Sequence, residues 1–164
     1  MISEDSITRI SHLFCGDEGG YYSYKTGPRL VSFFNQYFGS NDEYKSGFPS
    51  RWVYVYNKIV DLLNSNNVDA FFNIILKKDY LIRDQGITEV AAAELSEKIV
   101  AEINRIIQQD LCKLTFARGR FHLDSVYLRS SQNSQPNSDA SDVNSRKERG
   151  RVFRIARSDP PPAF

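Results

Sequence analysis

The chain has 164 residues, 41% hydrophobic, 25% charged and 13% aromatic, with a net charge of +1. That length bounds one domain with a single core, and the mix is ordinary for a soluble globular protein. No apolar run reaches the about 18 residues of a transmembrane helix. The opening MISEDSITRIS lacks an apolar signal core, so no membrane partner and a cytoplasmic location are the expectations.

Helix one is predicted from Ser3 to Phe14. Ser3 is a suitable N-cap, Glu4 and Asp5 suit the positive end of the helix dipole, and Ile7, Ile10, Leu13 and Phe14 make one apolar face. The stretch CGDEGGYYSYKTG (15–27) reads as a loop carrying Tyr21, Tyr22 and Tyr24. Exposed loop tyrosines are candidate protein-interface residues, and the competing reading folds them back over the core. Helix two starts at Gly27-Pro28, where proline fits the first helical position. Leu30, Phe33, Phe34, Tyr37 and Phe38 form its stripe, and Gly39 ends it.

The polar SNDEYKSGFPS follows as a loop. Helix three begins after Pro49 with Ser50 as cap, and Trp52, Val55, Tyr56, Ile59, Leu62 and Leu63 recur at helical spacing. Arg51 beside Trp52 is a second candidate interface pair, with a core role for the tryptophan as the plainer reading. Helix four covers Val68 to Leu76, with Lys77 and Lys78 at its C-terminal end. Helix five, the longest, runs from Thr88 to Gln109 with Leu95, Ile99, Ile103, Ile106 and Ile107 on one face. A hairpin closes the unit: Lys113–Phe116, a turn at Ala117–Arg120 with Gly119 free to take a positive φ, then Phe121–Leu123.

Character changes near residue 128. SSQNSQPNSDASDVNS (130–145) holds almost nothing apolar, and RKERGRVFRIARSDPPPAF follows. The expected organisation is a helical domain over 1–128, then a polar and basic disordered tail, or the start of a further unit, over 129–164. Residues 146–157 hold six Arg/Lys and one Glu, while residues 1–145 carry three more acidic than basic groups. The folded part is thus mildly acidic, which argues against a general nucleic-acid surface.

The sequence carries no convincing catalytic set. The two histidines, His12 and His122, and the two cysteines, Cys15 and Cys112, form no metal-binding spacing, and no cofactor motif is present. Both cysteines read as free buried thiols, with a disulfide between Cys15 and Cys112 as the alternative reading. Arg9-x-x-His12 and Arg118-x-x-x-His122 miss the spacing of the helical HEPN-class ribonucleases, which leaves that reading third. The hairpin residues Lys113, Arg118, Arg120 and His122 are the candidate nucleic-acid contacts, with a winged-helix-like mode in which the wing touches phosphates. An ordinary charged turn is the plainer reading, and a continuous basic stripe on the hairpin would separate the two.

Three stretches carry a resemblance: GPRLVSFFNQYFG (27–39), PSRWVYVYNKIVDLLN (49–64) and INRIIQQDLCKLTFARGRFHL (103–123). Together they resemble the AbiJ-like N-terminal domain of bacterial abortive-infection and antiphage proteins, over about residues 1 to 125. Leu111-Cys112 stands where that pattern has a glycine-tyrosine pair. The resemblance implies an accessory module without catalysis of its own. Such a module senses a trigger or mediates self-association, and so controls an effector domain. The expected fold is mostly α, about five helices with a short C-terminal hairpin, and the expected partner is a protein or a second copy.

Overall fold

The computed structural model describes residues 1–126. The polar and basic stretches predicted as a tail lie outside the described residues. The fold is mostly helical and ends in an antiparallel hairpin, as the periodicity implies. In chain order come α1 (Glu4–Cys15), α2 (Gly27–Phe38), α3 (Arg51–Asn64), α4 (Val68–Ile75), α5 (Lys78–Gln85) and α6 (Glu89–Ile107). A 3₁₀ turn (Gln108–Asp110) leads into β1 (Cys112–Ala117) and β2 (Arg120–Ser125).

Local chemistry sets the ends. The Ser3 hydroxyl accepts from the Ser6 N–H, and the Thr88 hydroxyl accepts from the Ala91 N–H, so both helices start on a side-chain cap. Helix α1 stops at Gly16, whose φ is +76°. The chain then doubles back so closely that a Cβ at Gly16 would run into the Ser23 backbone, and the Lys25 N–H bonds the Cys15 carbonyl at 3.0 Å. Only glycine fits that crossing.

The core is aromatic. Phe14, Phe34, Phe71 and Phe72 are fully buried. Phe14 meets Phe33 at 4.9 Å and Phe71 at 5.3 Å between ring centroids, and Phe34 stacks on Phe71 at 6.2 Å. Such pairs add about 0.5–1.5 kcal/mol each beyond the area they bury. The isoleucines Ile99, Ile103, Ile106 and Ile107 of α6 complete the core. Helix α1 packs on α3 and α6. The Ser6 hydroxyl donates to the Ile106 carbonyl at 3.2 Å, which ties the first helix to the end of the last.

The sequence pattern places Lys77 and Lys78 at the end of helix four, and the structure adds a further helix there. Helix α5 has a single buried residue, Leu81, so it has little apolar periodicity to read. Its role is to deliver Asp84. The Asp84 side chain is 1% exposed and lies 3.0 Å from the Lys25 ammonium, also 1% exposed. Asp84 also accepts from the Ser23 N–H at 2.9 Å and from Arg29 at 3.1 Å. The ammonium sits 4.8 Å from the centroids of both the Phe14 and the Tyr22 rings. A buried charge in such a place needs its partner, because neither ring can replace lost hydration in full.

Burial lowers the Lys25 pKa from 10.5 to about 8, and the Asp84 carboxylate holds it from falling further. Between those values the unfolded chain binds more protons at this group. Its contribution to stability therefore grows as pH rises through that window and is lost as pH falls through about 8. The buried Cys15 thiol, raised by desolvation from 9.0 to about 12, acts in the opposite sense above pH 9. The urea midpoint of the wild type is thus expected to rise between about pH 8 and 9, before the thiol matters. Lys25→Met should lose that rise, and an unchanged slope in the variant would assign it to another group.

Candidate functional site

The hairpin does not stand free of the body. It is held between α4 and α6 by side chains that act as strand mimics. On the β1 side, the Asn104 amide accepts from the Leu114 N–H at 2.7 Å and donates to the Leu114 carbonyl at 3.1 Å. On the β2 side, the Asn73 amide does the same for Phe121, at 2.8 Å in both directions. Asp69 accepts from the Leu123 N–H at 2.9 Å. Leu114 lies opposite Leu123 and Phe116 opposite Phe121, so these are the outward-pointing backbone groups of the ribbon. Each strand edge is thereby tied to its own helix, which is how a two-stranded ribbon gains the support it lacks alone. The turn is the two-residue loop Arg118-Gly119 with φ of +52° and +77°, the positive pair of a type I′ hairpin.

The candidate basic residues do not make one stripe. Lys113 lies directly opposite Asp124 on the partner strand. Thr115 also donates to Asp124, at 2.6 Å. His122 is within 3.1 Å of Asp69. Arg118 and Arg120 are exposed at the turn. The hairpin face is therefore mixed in charge, which weighs against its use as a phosphate-tracking wing.

The candidate interface residues separate in space. Tyr22 is in the core at 4% exposure, and its hydroxyl donates to the Ile75 carbonyl at 3.2 Å. Tyr21 is half-buried in a shallow hollow of about 470 Å³ beside Lys98 and Arg105 of α6. Tyr24 is 60% exposed, with the Arg51 guanidinium 3.9 Å from its ring centroid. Arg51 also donates to the Cys15 and Lys25 carbonyls and pairs with Asp17, so it clasps the tyrosine loop. Trp52 stacks on His12 at 5.1 Å. His12 in turn pairs with Asp17. Each of these groups has an intramolecular task, which residue spacing alone does not reveal because the partners lie on different elements.

A larger concavity than the hollow beside Tyr21 lies elsewhere. A cleft of about 1250 Å³ opens between α4, α6 and the hairpin. Ile74, Val100, Phe116 and Phe121 supply apolar surface, and Ala70, Ala93 and Ala101 leave the room. Phe116 is 65% exposed, although it packs on Phe121 at 4.9 Å. Lys77, Lys78, Arg120 and His122 stand on the rim with Glu97 and Asp69. The sequence signal for this site was present but weak: an apolar strand residue next to the turn, and alanines interrupting the polar side of the longest helix.

Among the described residues, no three His, Cys, Asp or Glu side chains come together in a metal-binding group, and no helix is long and apolar enough to cross a membrane. Cys15 and Cys112 are free thiols, both buried. Compared with known proteins, the chain matches no family model, no curated protein and no solved structure.

Proposed function

We propose that this domain is a non-catalytic interaction module that controls an effector in bacterial antiphage defence, by docking another protein surface at the α4–α6–hairpin cleft. The observation that carries the docking part is the cleft itself, with a phenylalanine 65% exposed at its edge. An apolar concavity of that size with a charged rim has the anatomy of a protein interface. The defence part rests on the resemblance to the AbiJ-like N-terminal domain. The titratable groups also favour a structural role. Asp17, Asp42 and Asp84 are each engaged with a cation of the same chain, namely Arg51, Lys58 and Lys25. His122 and His12 each face an aspartate, and among the described residues no serine or cysteine is hydrogen-bonded to either ring.

The alternative, a nucleic-acid binder, depends on Arg118 and Arg120 at the exposed turn. One experiment separates the readings. The full chain is titrated with a short duplex and a single-stranded RNA at two salt concentrations, alongside Arg118→Ala/Arg120→Ala. The expected result is that the double variant matches the parent with both ligands. Salt-sensitive binding that the double variant loses would transfer the function to nucleic acid. In a host challenged with phage, Phe116→Ser in the native gene is expected to abolish protection at unchanged protein level. Protection equal to wild type would sink the cleft as the controlling surface.

A further inference from the structure

We propose that the β1 edge at Phe116 receives an extended, uncharged segment of a partner protein, added to the hairpin as a short third strand; this rests on the interaction reading above and names what docks in the cleft. Three observations lead to that occupant.

The first is the pattern of closed and open backbone groups. Phe116 lies opposite Phe121 in the ribbon, and Leu114 opposite Leu123. The bonds made by Asn104 and Asn73 show that the N–H and C=O of Leu114 and Phe121 point outward, so those of Phe116 point outward as well. Asn104 closes the pair at Leu114, Asn73 closes the pair at Phe121, and Asp69 takes the Leu123 N–H. Among the described residues, nothing bonds the outward N–H or C=O of Phe116. A donor and an acceptor thus stand open on the strand edge beside an apolar cleft. An extended chain meets such a pair with its own backbone, which is the source of affinity in strand addition.

The second is the helix that faces this edge. Strand β1 runs back along α6. Asn104 meets Leu114, and the residues one turn earlier, Val100 and Ala101, line the cleft together with Phe116. Asn104 has an amide that reaches the strand. Val100 and Ala101 have no polar side-chain group, so α6 does not close the Phe116 pair as it closes the Leu114 pair. Ala101 is exposed and short, which leaves space for a neighbouring strand at the usual spacing of about 4.8 Å. A residue paired with Phe116 points its side chain to the same face as Phe116. There the Phe121 ring, Ile74 and Val100 offer it an apolar seat. Asn104 blocks the next outward pair, so the added strand ends or turns away at that point.

The third is charge. Lys77, Lys78 and Arg120 on the rim face Glu97 and Asp69, and Glu89 pairs with Lys78. The surroundings are close to balanced and select neither sign in a partner. Recognition falls to the open backbone pair and one apolar anchor, which an uncharged extended segment supplies.

The probe is a blocked, uncharged peptide of about seven residues, with a central isoleucine flanked by serine and threonine and extended over roughly 23 Å. It is titrated into the isotope-labelled full chain, with binding read by amide shifts and by hydrogen exchange. At saturation, exchange of the Phe116 N–H is expected to slow at least about tenfold, while that of Leu114 and Leu123 stays as in the free chain. Strand pairing uses alternate backbone groups. N-methylation at the isoleucine and at the next residue should therefore differ, one weakening binding at least about tenfold and the other leaving it within about threefold. Ala101→Gln gives α6 an amide beside the edge and should weaken the parent peptide at least about tenfold, with the melting temperature of the chain unchanged. Equal losses on the two N-methylations, unchanged affinity in Ala101→Gln, or no binding at about 5 mM would overturn the proposal. If the Phe116 N–H is instead protected in the free chain as its concentration rises, the occupant is a second copy and the partner segment fails. If peptides shift the cleft amides but leave Phe116 exchange unchanged, the added strand fails while the docking reading stands. Full phage protection by Phe116→Ser removes the docking reading itself.

Discussion

Replacing Asp84 with alanine is expected to cost about 3–5 kcal/mol of unfolding free energy, the usual penalty for stranding a buried charge. The side chains of Asp84 and Lys25 are each 1% exposed, so water cannot take the carboxylate's place without opening the loop. The variant also leaves the Ser23 N–H without its acceptor and frees Arg29. Chemical denaturation at about pH 7 measures the loss, and the sign of its pH dependence identifies the cause. Without the carboxylate, the Lys25 pKa falls below about 8, so the deficit should shrink as the solution is made mildly alkaline. The double variant Lys25→Met/Asp84→Leu should recover most of the single-variant loss, since a buried pair replaced by apolar groups is often neutral. A cost under about 1 kcal/mol for Asp84→Ala would mean that the loop is held by Arg51 and Gly16 alone.

The second large effect is expected at Asn104. Its amide closes two backbone groups of Leu114, a residue only 2% exposed. Asn104→Ala leaves both without a partner, at about 1–3 kcal/mol for each buried group, so a loss of about 2–6 kcal/mol follows. Amide exchange at Leu114 and along β1 should accelerate with it, because the strand edge loses its anchor. Asn104→Asp keeps the acceptor for the N–H and sets a carboxylate against the carbonyl. It should therefore disrupt the carbonyl contact while sparing the other. If Asn104→Ala leaves exchange in β1 unchanged, the hairpin is held by the burial of Cys112 and Leu114 rather than by the amide.

The contrast between what the residues announce and what they conceal has a physical basis. Helices α1, α2, α3, α4 and α6 each bury a stripe at helical spacing, and caps such as Ser3 and Thr88 or stops such as Gly16 and Gly39 mark them. The hairpin is legible because β1 alternates between buried Cys112 and Leu114 and exposed Lys113. Helix α5 is not, since KDYLIRDQ buries one residue and its charged residues read as solvated. Gly86 at its end and Asp79 in its first turn were the available clues.

Sites made by long-range pairs are harder still. Lys25 and Asp84 look like two ordinary surface charges until folding brings them together. Asn73 and Asn104 each look like a polar residue on a helix, and only the register of the hairpin gives them a task. Arg51 reads as an interface anchor because its partners, the Cys15 and Lys25 carbonyls, carry no side-chain signal. The cleft is legible least of all, because a concavity belongs to the arrangement of elements and not to any one of them.

Trp52 is the only tryptophan in the chain, and its ring lies against His12. None of the residues that line the cleft belongs to α1 or α3. Excited at the red edge, where the nine tyrosines do not absorb, the protein therefore emits from a single site at the clasp of the tyrosine loop. Occupation of the cleft should leave that emission in place, whereas release of Arg51 and its loop should change both its intensity and its colour. A ligand that alters the fluorescence has reached across the domain, and the molecule carries its own lamp for telling local docking from a global response.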